Sequence, residues 1–324
     1  MAMADLLSFL RECAASGALI GSICGLLIVP FLTWLAVRAL APRIHAMAND
    51  APWQAPLAAA AASAPAAVFL ALAISGLIGA SSAGCLNYAW GRALFAGVLV
   101  LTTSSVARAI FVACRRIAQV RNLIAASGPA DAHVETIAKR CNVRVRLLPY
   151  SEPLCALAGI LRPVVLLSRG ALERLADEEL EAALRHERAH AIRLDLVLAM
   201  TLSFFADLLP FPARDFATIY AVAREKAADL YAIQVSAPEV LASAIIALAS
   251  TRRPFGATAA LAGDLRSVTD RVRALLAHRV EQAYSLKQRT ISTAWLSAII
   301  LAGLAPSILA AMNYYACTIK GMHT

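Results

Sequence analysis

The chain has 324 residues, 60% of them hydrophobic and only 16% charged, and its mean hydropathy is +0.67. Such a surplus exceeds what a soluble core holds and assigns part of the surface to lipid. The net charge of +9 does not mark a nucleic-acid binder, because the arginines are not interleaved with aromatics, which make up only 6%.

In chain order, Leu6, Leu7, Phe9 and Leu10 suggest a short interfacial helix, with no basic region ahead of it to make a signal peptide. Four apolar segments follow, at about 17–37, 57–80, 93–113 and 292–312, each near the ~20 residues that cross a bilayer core. Arg108 lies near one end of the third, where it can snorkel. Basic residues gather on the cytoplasmic side of spans. Arg38, Arg43, Arg115, Arg116, Arg121, Lys287 and Arg289 therefore place the N-terminus outside and residues 116–290 in the cytoplasm, with Arg11 as a mild conflict. The expected organisation is a membrane region over 1–115, a cytoplasmic domain over 116–290, and a fourth span with a short external tail over 291–324. The expected fold class is a mainly α, integral membrane protein whose cytoplasmic domain contains a small β-sheet. Seven cysteines (13, 24, 85, 114, 141, 155, 317) form no C-x-x-C pair and no even framework, which argues against a cysteine metal site. Cys85 and Cys317 would share the oxidising face, with free thiols expected rather than a bridge.

Within 116–290, Asp131 to Arg140 predicts a short helix capped by Asp131. Residues 142–148 alternate apolar and basic and predict a half-buried strand, and 163–168 a more buried one, with Gly159 and Pro163 fixing the approach between them and Gly170 ending it. Asp177, Glu178 and Glu179 suit a helix N-terminus, and that helix runs on through residue 190. Leu196–Ala206 is an apolar run too short to span, expected as a buried or membrane-surface helix. Further helices are expected from about 213 to 235 and within 236–290.

His186-Glu-Arg-Ala-His190 carries the chemistry. Residues four apart share one helix face, so both imidazoles can serve one ion while Glu187 reaches a water there without being a ligand. The plain alternative is a pair of exposed histidines on an amphipathic surface. Two histidines are too few for a metal centre, and Glu225, which opens Glu225-x-x-x-Asp229 on a downstream helix, is the chosen third ligand. Asp229 would accept the free N–H of a ligating histidine; Asp195 is a second candidate for that task by proximity in sequence alone. The alternative for Glu225 and Asp229 is a solvated face paired with Arg224 and Lys226.

Taken together, His186 to His190, Arg193, Asp195, Arg224-Glu225 and Asp229 resemble the BlaR/MecR family of bacterial membrane metallopeptidases. Residues 156–168, ending in Arg162-Pro163 and Ser168, resemble that family's upstream segment, and 175–180 its lead-in to the histidine helix. The similarity covers about 90 to 315 and is most specific between 153 and 230. The HtpX and CAAX-prenyl membrane peptidases share the two histidines, the glutamate and the aspartate. The resemblance implies a gluzincin-like zinc endopeptidase with one Zn2+ per chain. Its implied substrates are cytoplasmic or membrane-associated proteins, with a transcriptional repressor or the enzyme itself as candidates for regulatory proteolysis. Only Asn313–Thr324 follow the fourth span, without Ser-x-x-Lys, so β-lactam sensing by this chain is not expected. Arg271 matches an arginine of the prenyl-protease relatives, but their preceding histidine is Leu265 here. It would stabilise the oxyanion or bind helix carbonyls. The 163–168 strand is expected to hold a substrate backbone by edge pairing. The competing readings are a non-cleaving zinc-binding membrane sensor or scaffold and, behind it, a small transporter, for which the spans carry little inward-facing polarity.

Overall fold

The computed structural model describes residues 89–160, 162–209, 215–249 and 265–276, together with scattered helical residues between 31 and 77. No proline interrupts Ala89–Ala126, and these residues form a single helix, α1, that stops at Ser127-Gly128-Pro129. The third span was expected to end at 113, where the arginines begin. Charge lowers hydropathy but breaks no backbone hydrogen bond, so Arg115, Arg116 and Arg121 ride the same helix. Over Phe95–Ala126 it is long and apolar enough to cross a membrane, alone in this among the described residues. Its polar run is satisfied internally: the hydroxyls of Thr102, Thr103 and Ser104 donate to the carbonyls of Val98, Leu99 and Leu101. Val100 and Phe111 point outward, 65% and 67% exposed, as side chains facing lipid would. Of the other expected spans, 57–80 is described only in part, as the apolar stretch Pro65–Ile74. Nearly all of 17–37 and the whole of 292–312, with Cys85 and Cys317, lie outside the described residues.

Beyond α1 the chain runs β1 (Gly128–Pro129), α2 (Ala132–Cys141), β2 (Val145–Leu148), β3 (Cys155–Ala158), β4 (Val164–Ser168) and the single turn α3 (Arg169–Leu172). It continues as α4 (Asp177–Ile192), α5 (Asp195–Leu208), α6 (Asp215–Ala232), α7 (Pro238–Leu248) and α8 (Leu265–Leu276). Asp131 occupies the N-cap of α2, but its side chain makes no capping bond; the helix begins on the Glu135 N–H to Asp131 carbonyl bond alone. Asn142 ends α2 in the left-handed region at φ 52°, which is why the strand starts at Val145 rather than 142.

The sheet order is β1-β2-β4-β3, with β2 and β4 parallel and the outer pairs antiparallel. All five residues of β4 are buried. On one face Val165 and Leu167 pack against Val134, Ile137, Leu180 and Leu184 of α2 and α4. On the other, Leu148, Ala158, Val164 and Leu166 meet Val120, Leu123 and Ile124 near the end of α1. The edge expectation is therefore corrected: β4 (the 163–168 strand) sits between β2 and β3, its hydrogen bonds taken on both sides, and the outer strands of the sheet are β1 and β3. Two glycines shape the β3–α3 region. Gly159 has φ +83° with the Arg162 carbonyl close by, and Gly170 lies so near Ser151 that no side chain fits. Ser168 staples the same corner, accepting from the Leu154 and Ala171 amides and donating to the Glu152 carbonyl.

The remaining helices wrap α4. Ala182 packs with Ala232, Leu241, Ala242, Ile245 and Leu275 of α6, α7 and α8. Leu198 and Leu202 of α5 meet Tyr220 and Ala223 of α6. Leu208 and Leu209, at the far end of α5, join Phe69 and Ala109 in an apolar cluster against α1. There Arg108 donates to the carbonyls of Asp207 and Leu209 at 2.7 and 2.5 Å, and Arg116 pairs with the Asp207 carboxylate at 2.8 Å. The Arg108 guanidinium thus satisfies carbonyls that the end of α5 leaves unpaired.

Candidate metal centre

The acidic first turn of α4 begins the helix as its sequence leads one to expect, with Glu179 reaching back to the Ala176 amide at 2.9 Å. The helix lies against the sheet, and His186, Glu187 and His190 are all buried, so an exposed amphipathic pair is excluded. Arg188, between the histidines, is turned away to the carbonyls of Cys141 and Asn142 at the end of α2.

His186 Nε2 and His190 Nε2 lie 3.2 Å apart. Glu225 of α6 faces both, Oε2 at 3.3 Å from His186 Nε2 and Oε1 at 3.7 Å from His190 Nε2. Behind each ring stands a carboxylate: Asp229 Oδ1 is 2.9 Å from His186 Nδ1, and Asp195 Oδ2 is 2.8 Å from His190 Nδ1. Metal binding would require each Nδ1 to carry its proton on the carboxylate side, so that both Nε2 atoms offer lone pairs to the ion. Two ring nitrogens and a carboxylate then face one small region, a donor set suited to a divalent cation. The His186, Glu187 and His190 side chains alone already place potential ligand atoms within 4.8 Å of one another. The residues present fit a divalent metal of nitrogen–oxygen preference.

The helix breaks that bring these groups together are local. α4 ends at Ile192 with Arg193 as its C-cap, Leu194 takes a left-handed φ of 57°, and α5 starts at once with Asp195. That tight reversal returns the Asp195 carboxylate onto His190. A non-glycine residue there costs on the order of 1 kcal/mol, which the surrounding packing must supply. Asp195 is further held by the Tyr220 hydroxyl, which donates to Oδ1 at 2.9 Å, and by Arg193 Nε at 3.5 Å. Glu225 is held by Arg224, Nη2 to Oε1 at 2.9 Å, and by Arg271 Nη1, 3.2 Å from Oε2. Arg271 also grips Asp229, with Nε and Nη2 at 2.8 and 2.6 Å. Glu225 and Asp229 are buried, and so is Arg224; they do not form a solvated face.

Charge is balanced by these contacts. Burial pushes Glu225, Asp229 and Asp195 upward, but adjacent cationic and imidazole groups win, holding Glu225 well below the usual carboxylate range and the two aspartates below theirs. For His186 burial opposes protonation, yet Asp229 and Glu225 raise its pKa to about 9. Burial and Asp195 push the Tyr220 phenol well above its ordinary value, which keeps it a hydroxyl donor.

The structure thus gathers His186, Glu187, His190, Asp195, Glu225, Asp229 and Arg271 into one cluster. Arg271 meets two carboxylates, not helix carbonyls. Tyr220 and the β3 amide of Leu157, which donates to Glu187 Oε2 at 2.7 Å, were not anticipated from sequence. An aromatic in an apolar helix and a four-residue strand carry no signal that separates them from core.

A model of the family described as BlaR1 peptidase M56 matches residues 27–275. The chain belongs to that family. It is accordingly a metallopeptidase, and His186, Glu187 and His190 on α4 lie close enough together to form a possible metal site. BlaR1-type peptidases are membrane-associated, in keeping with the length and apolarity of α1. No curated protein and no solved structure matches the chain significantly.

Proposed function

We propose that the protein is a membrane-embedded zinc endopeptidase that cleaves cytoplasmic or membrane-associated proteins. In this reading His186, His190 and Glu225 hold the zinc, Glu187 is the general base, and Asp195 and Asp229 fix the histidine tautomers. The observation that carries it is the convergence of two Nε2 atoms and one carboxylate, each histidine backed by its own carboxylate. Three protein ligands leave a position open, the mark of a catalytic rather than a structural site.

Zinc bound there supplies a Lewis acid for the scissile carbonyl and makes water more acidic. Glu187 follows a ligand on the same helix, and its Oε2 is fixed by the Leu157 amide, which leaves Oε1 to take the proton of the attacking water. The same carboxyl then protonates the departing nitrogen, since an amide anion is too basic to leave. Substrate binding goes with β3. Leu154, before the strand, turns its carbonyl inward to Ser168, and alternation along β3 turns the backbone groups of Cys155 and Leu157 outward on the Glu187 side. An extended substrate segment pairing with that edge would lie along the site. Four spans, an external N-terminus and a cytoplasmic catalytic domain complete the proposal, supported by the distribution of Lys and Arg around the apolar segments. A repressor or the enzyme's own chain is the proposed kind of substrate, as regulatory proteolysis.

Glu187→Gln tests this reading. The variant retains zinc and loses proteolysis, and comparative proteomics of cells carrying either form reveals fragments that only the wild type makes. Full proteolysis by the variant refutes the mechanism. Glu225→Ala lowers bound zinc; unchanged metal content removes Glu225 from the ligand set. A non-cleaving zinc sensor, the competing class, predicts a cellular phenotype indifferent to Glu187→Gln.

A further inference from the structure

Arg271 lies on α8, apart in sequence from every other member of the cluster, and α8 is held down by Val268, Val272 and Leu275 against Leu241, Ala242 and Ile245 of α7. Its guanidinium addresses two carboxylates one turn apart on α6. Nε and Nη2 form a bidentate fork with Asp229 at 2.8 and 2.6 Å, while Nη1 sits 3.2 Å from Glu225 Oε2. Like charges at i and i+4 repel, and here both are buried, with the Glu187 carboxylate on the neighbouring helix. Without a counter-charge between them, Glu225 and Asp229 have every reason to swing apart.

We propose that Arg271 is the positioning residue of the metal centre. By bracing both carboxylates at once, it keeps Glu225 aimed at the Nε2 side of His186 and Asp229 at the Nδ1 side. All three guanidinium nitrogens are committed to α6, so the group braces the site and does not reach for a substrate oxyanion. A planar fork is required; an ammonium is a point charge and engages one carboxylate at a time. Arg224 covers the other oxygen of Glu225, so the candidate ligand is gripped from both sides. The inference rests on the zinc reading above and adds to it which residue sets the geometry.

The test uses the full-length protein in detergent, stripped of metal and titrated with zinc alone against a competing chelator. Arg271→Ala and Arg271→Gln weaken zinc binding by roughly 10- to 100-fold, the range for residues that orient metal ligands, and Arg271→Lys falls between them and wild type. The visible absorption of the cobalt-substituted protein shifts in the same variants. Asp229→Asn combined with Arg271→Ala loses less than the product of the single losses, because the two act as one unit. Thermal melting of the metal-free forms separates positioning from mere folding: Arg271→Lys keeps the buried charge and a near wild-type melting temperature while still binding zinc more weakly. Wild-type zinc affinity in Arg271→Ala overturns the proposal. So does a fall in kcat at unchanged zinc affinity, which would make Arg271 an oxyanion group. A wild-type protein that takes up no zinc overturns the zinc reading itself, and is told apart because every variant then behaves alike.

Discussion

Asp195 is the carboxylate whose removal tests the metal centre most sharply. It is 1% exposed, its Oδ2 accepts from His190 Nδ1 at 2.8 Å, and its Oδ1 accepts from Tyr220 at 2.9 Å. Asp195→Asn keeps the shape and an acceptor oxygen but removes the charge. Charge-assisted hydrogen bonds contribute about 1.5–3 kcal/mol and neutral ones about 0.5–1.5 kcal/mol, so the exchange loses about 1–2 kcal/mol. At 1.4 kcal/mol per tenfold, zinc binding weakens about 5- to 30-fold. Asp195→Ala removes the acceptor altogether and reaches the 10- to 100-fold range, with a further loss of about 1–3 kcal/mol in folding stability because the Tyr220 hydroxyl is left buried without its acceptor. Chelator competition reads the affinities and thermal melting of the metal-free forms reads the stabilities. Wild-type zinc affinity in Asp195→Asn refutes the idea that this carboxylate fixes the ligating tautomer of His190.

Gly170→Ala puts a Cβ 1.8 Å from the Ser151 carbonyl oxygen, backbone against backbone, and lowers stability by about 3 kcal/mol, whereas Gly97→Ala on α1 meets nothing within 4 Å and is neutral or slightly stabilising. Equal melting temperatures for the two variants would refute the packing described around α3. In the metal-free protein, His186 titrates near 9 when folded against 6.5 unfolded. Its contribution is therefore complete below pH 6.5 and is lost as pH rises through about 9. Glu225, Asp229 and Asp195 titrate below their ordinary 4.5, 3.8 and 3.8, so their contribution is present above those values and lost as pH falls through the folded ones. Chemical denaturation in the presence of chelator gives a plateau between about pH 4.5 and 6.5. Stability that climbs from pH 6.5 to 9 would contradict the His186 environment.

What was legible in the sequence is what is local or periodic. His186 and His190 share a face because a helix repeats every 3.6 residues, and the acidic turn at Asp177 announces where that helix starts. Glu225 and Asp229 follow the same spacing, so their pairing was readable, although their burial against Arg224 and Arg271 depends on α6 and α8 meeting. Asp195 could be named only as a neighbour. What returns it to His190 is the left-handed Leu194, a conformation that leucine does not advertise. Strand β3 went unread because four residues, Cys155 to Ala158, alternate too weakly to separate from loop, and so the substrate edge was placed on the more apolar β4. Helix α1 overran its expected end because hydropathy measures preference for lipid, and helix continuity depends on backbone bonds and the absence of proline.

Helix α5 is a rod of 14 residues, about 20 Å long, fastened by charge at both tips. One tip is Asp195 on His190, and the other is Asp207 and Leu209 in the grip of Arg108 and Arg116. The membrane-length helix and the histidine face of α4 are thus separated by one 14-residue helix and two polar joints.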